Sequence, residues 1–148
     1  MDGKSIAILG AALCMIFCGA GSCLGLFKAG AAAAGVIAEN PKKFTKVFVL
    51  AVLPATQGIY GFVIAIIKNN SAKVLAAGCA ASLGWPIFGA CLALGITGFV
   101  SGIYQGKSSA ASIYGIAKND AMFGRLIIFP AMIETYAILS FVIAIMLG

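Results

Sequence analysis

Phe62-Val63-Ile64-Ala65-Ile66 returns 79 residues later as Phe141-Val142-Ile143-Ala144-Ile145. Working outward, the same offset lays Phe44 on Phe123, Lys46 on Arg125, Asn40 on Asn119 and Ala38 on Ala117. Further back it lays Lys28 on Lys107, Gly19 on Gly98, Leu13 on Leu92 and Gly10 on Gly89. A fixed offset without gaps marks an internal repeat. Copies in parallel order stand the same way up in a bilayer. The first apolar run thus has a counterpart later in the chain and is expected to belong to the mature fold rather than to a cleaved leader.

Composition says which solvent the repeat was built for. The 148 residues are 62% hydrophobic and 9% charged, with mean hydropathy +1.10. A soluble domain carries about a quarter charged residues, so a single soluble domain is excluded. The sequence has no His, which removes His-ligated metals, Ser-His-Asp and Cys-His nucleophiles and imidazole relays. The net charge of +6 comes from Lys and Arg scattered between apolar runs. That pattern suits membrane topology and gives no nucleic-acid partner.

A spanning helix needs about 20 apolar residues for a hydrocarbon core of about 30 Å. Four runs qualify: Ile6 to Phe27, Phe44 to Ile67, Val74 to Tyr104 and Phe123 to Leu147. Polar punctuation separates them at Glu39-Asn40-Pro41-Lys42-Lys43, Lys68-Asn69-Asn70-Ser71 and Lys118-Asn119-Asp120. The expected fold is an all-α membrane protein, four transmembrane helices as two tandem hairpins, 1–70 and 71–148. Lys42, Lys43, Lys46, Lys118 and Arg125 flank two turns, against Lys4, Lys68 and Lys73 on the other side. By the positive-inside rule, turns 39–46 and 118–125 face the cytoplasm and both termini lie opposite.

The spans differ in kind. The first and third are rich in small residues, including Gly19, Gly21, Gly25, Gly30, Gly35 and Ala31 to Ala34, then Gly95, Gly98, Gly102, Gly106 and Ala110-Ala111. Gly21-Gly25, Gly98-Gly102 and Gly102-Gly106 are spaced for close backbone approach. The second and fourth are bulky (Val47 to Leu50, Leu126 to Phe129). Thin and thick helices together suit a ring with crowded inner helices and bulky outer ones.

Asp2, Glu39 and Asp120 sit at ends or turns, whereas Glu134 falls mid-span, eleven residues after Phe123. A charge at the bilayer centre costs at least about 2.5–3.5 kcal/mol, which makes such a residue a functional candidate. Gln105 and Glu134 lie 14 and 15 residues on either side of Asn119. At 1.5 Å per residue both are roughly 21–23 Å from one turn. Thr56 and Gln57 lie 16 and 17 residues past Asn40, at matching depth, and Leu53, Gln57 and Tyr60 share a helical face. Thr56, Gln57, Gln105 and Glu134 are thereby expected to converge. One carboxylate among neutral oxygens is hard-cation chemistry, and a single negative charge matches Na⁺ better than Ca²⁺. The alternative cargo, H⁺, needs only the acid and leaves two Gln residues as surplus cost. The offset puts Ala55 where Glu134 would fall and Leu26 where Gln105 would fall. One ionisable site therefore serves two hairpins.

Leu53-Pro54-Ala55-Thr56-Gln57-Gly58-Ile59-Tyr60-Gly61-Phe62, Ser101-Gly102-Ile103-Tyr104-Gln105-Gly106-Lys107 and Ile133-Glu134-Thr135-Tyr136, with the duplicated hairpins, resemble the proteolipid (c or K) subunit of V/A-type rotary ATPases of the bacterial Na⁺ type. The resemblance covers essentially the whole chain. It departs at Ala55, where glycine is common, and at Tyr104. It implies Na⁺ held by the Leu53 carbonyl, the Thr56 hydroxyl, the Gln57 and Gln105 side-chain oxygens and Glu134, with Tyr60 bonded to the glutamate. It further implies a ring of identical subunits in the lipid bilayer, turning against a stator membrane subunit with an arginine and coupled through central-stalk subunits to a soluble head that hydrolyses ATP. This chain is then not itself an enzyme: Gly106-Lys107-Ser108 lacks the strand and the upstream glycine of a phosphate loop.

Two other classes compete. A self-contained small transporter or channel predicts a wide polar cavity, and a purely structural four-span protein leaves Glu134 unexplained. Cys14, Cys18, Cys23, Cys79 and Cys91 lack CxxC spacing and are expected to be small packing residues. Pro86, after Trp85, is placed to bend the third span.

Overall fold

The computed structural model describes residues 2–71 and 80–147; Lys73, Val74 and Cys79 lie outside them. Four helical spans long and apolar enough to cross a membrane run Gly3–Glu39, Pro41–Asn69, Ala81–Lys118 and Asp120–Met146. All regular structure among the described residues is helical.

The two helical turns between spans are physical copies. Asn40 ends the first span, its N–H donating to the Val36 carbonyl, and its side chain then accepts from the Lys42 N–H at 3.2 Å. Asn119 does the same after the third span, with its N–H on the Gly115 carbonyl and its side chain accepting from Ala121 N–H at 3.1 Å. An asparagine at this position closes one helix and opens the next.

The first and third helices are longer than their apolar runs. Both continue well past Phe27 and Tyr104, to Glu39 and Lys118. Helices of 37 and 38 residues reach about 55 Å at 1.5 Å per residue, beyond the hydrocarbon core. The extensions hold because Ala29, Ala32, Ala33, Val36, Ile113 and Ile116 pack with Val47 and Leu50 into a core of their own. A second core at the other end gathers Ala7, Cys14, Cys18, Ile64, Ile87, Ala90, Cys91, Leu94 and Ala144. Cys14, Cys18 and Cys91 are thus packing residues, whereas Cys23 departs from that expectation and is exposed.

The two thin helices meet backbone to backbone. A Cβ added at Gly25 would strike the Gly102 carbonyl oxygen, and one at Gly106 would strike the Gly25 backbone. Gly21 sits against Phe99 backbone and Gly98 against the Cys18 sulfur. Gly30 and Gly35, read as part of the same small-residue stripe, instead face open space.

Prolines break the second and fourth spans. The second consists of a helix Phe44–Val52, a 3-10 turn Leu53–Ala55 and a helix Thr56–Asn69. Pro54 has no N–H to donate, and the chain tightens there. In the fourth, Phe123–Leu126 and Ile128–Met146 are separated at Ile127, ahead of Pro130. The Leu126 carbonyl, four residues before Pro130, accepts from the Ser112 hydroxyl at 2.9 Å. The third helix runs unbroken through Pro86.

Lysines of the first half cap helices of the second. Lys43 Nζ donates to the carbonyls of Ile116 (3.1 Å) and Ala117 (2.7 Å), and Lys68 Nζ to those of Ile145 (3.1 Å) and Leu147 (2.7 Å). Cations belong at helix C-termini, where carbonyls lack helical donors. Lys46 also pairs with Asp120 across exposed surface.

Candidate ion-binding site

Between the two apolar cores lies a polar layer built from three spans. The 3-10 turn at Pro54 supplies Leu53 and the helix after it Thr56, Gln57 and Tyr60, the third span supplies Ser101 and Gln105, and the fourth supplies Glu134. Gln57 and Gln105 are fully buried (0% exposed) and Ser101 nearly so. Glu134 is half-buried, at the edge of the layer.

The carboxylate receives two donors. Tyr60 Oη–H donates to Oε1 at 2.7 Å and Gln105 Nε2 to Oε2 at 3.2 Å. An ionised carboxylate only accepts, so both neighbours must present hydrogens, and they do. Gln105 gives its second hydrogen to the Pro130 carbonyl at 3.2 Å, an acceptor in the broken stretch of the fourth span. Behind it, Gln57 Nε2 donates to Gln105 Oε1 at 2.6 Å and to Ser101 Oγ at 3.2 Å. The Ser101 hydroxyl in turn donates to the Ile133 carbonyl at 3.1 Å.

The layer therefore runs Gln57 to Gln105 to Glu134, with every amide hydrogen aimed toward the acid or another oxygen of the layer. One acceptor is left over: Gln57 Oε1 is buried without a hydrogen-bond partner. An orphaned amide oxygen in an apolar setting costs about 1–3 kcal/mol, and a cation is one way to recover it. Thr56 departs from simple convergence, because its hydroxyl hydrogen goes to the Leu53 carbonyl at 3.0 Å. Its lone pairs remain as acceptors beside that carbonyl. Thr135, the repeat equivalent of Thr56, makes the equivalent bond to the Met132 carbonyl, on an exposed side. Ser101 was missed in the sequence, where it reads as one more small residue. The signal lay in the repeat, because the offset lays Ser22 on Ser101.

The donor set is one carboxylate, two amides, a hydroxyl and a main-chain carbonyl, all oxygen once the amides turn their carbonyls inward. Gln105 offers its NH₂ to Glu134 here, so its oxygen faces a cation only after its amide rotates. Among the described residues no cluster of three His, Cys, Asp or Glu side chains occurs. The chemistry on offer is that of a small monovalent ion or a proton, held by a single charge.

Lys28 and Lys107 come nearest in depth and are exposed, lining a groove with Phe27, Ala31, Ala110, Ala111 and Tyr114. Lys107 Nζ rests 4.6 Å from the centre of the Tyr104 ring, a cation–π contact. The only ion pair among the described residues is Lys46–Asp120, at the turns.

Comparison with known proteins gives the same duplication. The family model for the C subunit of ATP synthase matches residues 9–68 and again 88–147. The K subunit of the V-type sodium ATPase of Enterococcus hirae is 43% identical over 145 residues, 98% of this chain and 91% of that one. The K subunit of the A-type ATP synthase of Methanocaldococcus jannaschii is 37% identical over 147 residues, covering 99% of this chain and 63% of that one. The human V-type proton ATPase 16 kDa proteolipid is 26% identical over 142 residues, 96% of this chain and 90% of that one. With four membrane-length helices folded as two repeats around one intramembrane acid, the chain belongs to the family of the ATP synthase C subunit, as a duplicated, multi-pass proteolipid of a V/A-type ATPase.

Proposed function

We propose that this chain is the rotor-ring subunit of a V-type ATPase and carries Na⁺ across the bilayer on Glu134. The observation that carries the reading is the half-buried Glu134, bonded by Tyr60 and Gln105, with the orphaned Gln57 oxygen in the same layer. Its ligands are the Leu53 carbonyl, the Thr56 hydroxyl, the Gln57 and Gln105 amide oxygens and the Glu134 carboxylate, with Tyr60 holding the acid. The name of the Enterococcus hirae relative, a sodium ATPase subunit, supports sodium.

The mechanism follows from the cost of charge. While Glu134 faces lipid it is tolerated only when neutralised. Identical subunits form a ring, the thin helices crowded inside and the bulky spans outside. As the ring turns past a static membrane subunit, the ion leaves to one side and another loads from the other. Moving one charge is worth about 2.3 kcal/mol per 100 mV, which ATP hydrolysis in the soluble head supplies through the central stalk. This chain contributes no nucleotide chemistry. The hairpins divide at 70/71, turns 39–46 and 118–125 face the cytoplasm, and the termini lie opposite.

A hydrophobic carbodiimide should label Glu134 in native membranes, and Na⁺ at fixed pH should protect it. Labelling indifferent to Na⁺ would overturn the sodium assignment and leave H⁺ as cargo, a reading favoured by the names of the proton-ATPase relatives.

A further inference from the structure

The repeat carries a hydroxyl clamp in both copies. In the first hairpin Ser22 Oγ donates to the Pro54 carbonyl at 2.6 Å; in the second, Ser101 Oγ donates to the Ile133 carbonyl at 3.1 Å. The offset lays Ser22 on Ser101 and Pro54 on Ile133. Each serine thus grips the carbonyl one residue before the position that holds Ala55 in one copy and Glu134 in the other. Both serines are 5% exposed. The copies differ in one respect: Ser101 also accepts from Gln57 Nε2, at 3.2 Å.

A serine hydroxyl has one hydrogen and two acceptor lone pairs. With the hydrogen committed to Ile133, Ser101 offers Gln57 only an acceptor. Gln57 must then turn its NH₂ toward Ser101 and Gln105, which leaves Oε1 as the buried atom without a partner. We infer that Ser101 is a positioning residue of the ion site: it fixes the Gln57 amide so that its carbonyl oxygen, rather than its NH₂, is offered to the cation. Once Gln105 turns its oxygen toward the cation it no longer accepts from Gln57, so losing Ser101 removes the acceptor that remains for the Gln57 NH₂ and frees the amide to flip, presenting hydrogens where an oxygen is needed. Ser22 does only the structural half of this job. The inference rests on the ion-site reading above, and two measurements separate the fates of the two.

The first is Na⁺ protection of Glu134 against carbodiimide in membranes holding the assembled protein. For Ser101→Ala the half-protecting Na⁺ concentration rises about tenfold, the worth of one buried hydrogen bond near the top of its range. Ser101→Thr, which keeps the hydroxyl, restores the wild-type value. Ser22→Ala leaves it unchanged, and labelling without Na⁺ persists in all three, which reports an intact Glu134. In a Gln57→Ala background Ser101→Ala adds nothing further. Wild-type protection in Ser101→Ala overturns the inference, as does an equal loss in Ser22→Ala, which would make the clamp merely structural. The second measurement needs no ion: dipolar recoupling in solid-state NMR between side-chain ¹⁵N of glutamine and ¹³Cβ of serine, in Na⁺-free membranes. A short-range coupling assigned to Gln57 and Ser101, lost in Gln57→Ala, supports the inference even if Na⁺ fails to protect the wild type and the sodium reading falls. No such coupling means the amide faces the other way, and the inference fails whatever the cargo.

Discussion

Shortening Glu134 by one methylene separates the two things asked of it, a negative charge and a reach to Tyr60 and Gln105. Those hydrogen bonds are 2.7 and 3.2 Å, and a retreat of about 1.5 Å takes both out of range. Glu134→Asp is therefore expected to stay reactive to carbodiimide while its half-protecting Na⁺ concentration rises tenfold or more, since hydrogen bonds to a charged group are worth about 1.5–3 kcal/mol. Unchanged protection would show that the two donors do not position the acid. At this scale the sequence was partly readable. Counting residues from the Asn119 turn placed Gln105 and Glu134 level, and the structure joins them. It did not reveal that the Thr56 hydroxyl turns back to Leu53 or that Ser101 bonds both Ile133 and Gln57. Which partner a hydroxyl finds depends on the rotation of one helix against another, and that is fixed by packing rather than by depth.

Among the elements, the Gly25–Gly102–Gly106 crossing is where the fold has least room. Gly25→Val places a branched side chain against the Gly102 carbonyl and Pro54. Neither backbone can retreat without opening both cores, so the variant is expected to lose the detergent-stable oligomer altogether on native gels. Gly30→Ala and Gly35→Ala meet nothing within their own chain, so they should leave the fold of each subunit intact, where alanine favours the helix by about 1 kcal/mol. The caps make a second contrast. Lys43→Met strips the Ile116 and Ala117 carbonyls of their donor and should cost about 1 kcal/mol in thermal stability. Lys46→Met breaks only an exposed pair and should cost less. Hydropathy located all four spans but ended the first at Phe27 and closed the third at Tyr104. The helices continue because alanines there pack against neighbouring spans and the buried Ser112 hydroxyl donates to the Leu126 carbonyl, a property of the packed bundle that no single window of sequence carries. The 3-10 turn at Pro54 was likewise invisible to hydropathy, although its proline stood in plain view.

For the whole molecule, the charge bias of the turns sets an orientation that labelling decides. Lys42→Cys should react with a membrane-impermeant maleimide in inside-out vesicles, and Asn70→Cys in right-side-out vesicles. The reverse pattern would invert the topology proposed here. The duplication also makes a stoichiometric demand. Two hairpins share one acid, because Ala55 stands where the first copy would carry its own. Equilibrium binding of ²²Na⁺ to the purified, assembled protein tests that demand and the ion site together. Saturation is expected at one ion per chain, abolished in Glu134→Gln with the oligomer intact. Two ions per chain, none at all, or a Glu134→Gln protein that binds like the wild type would contradict it.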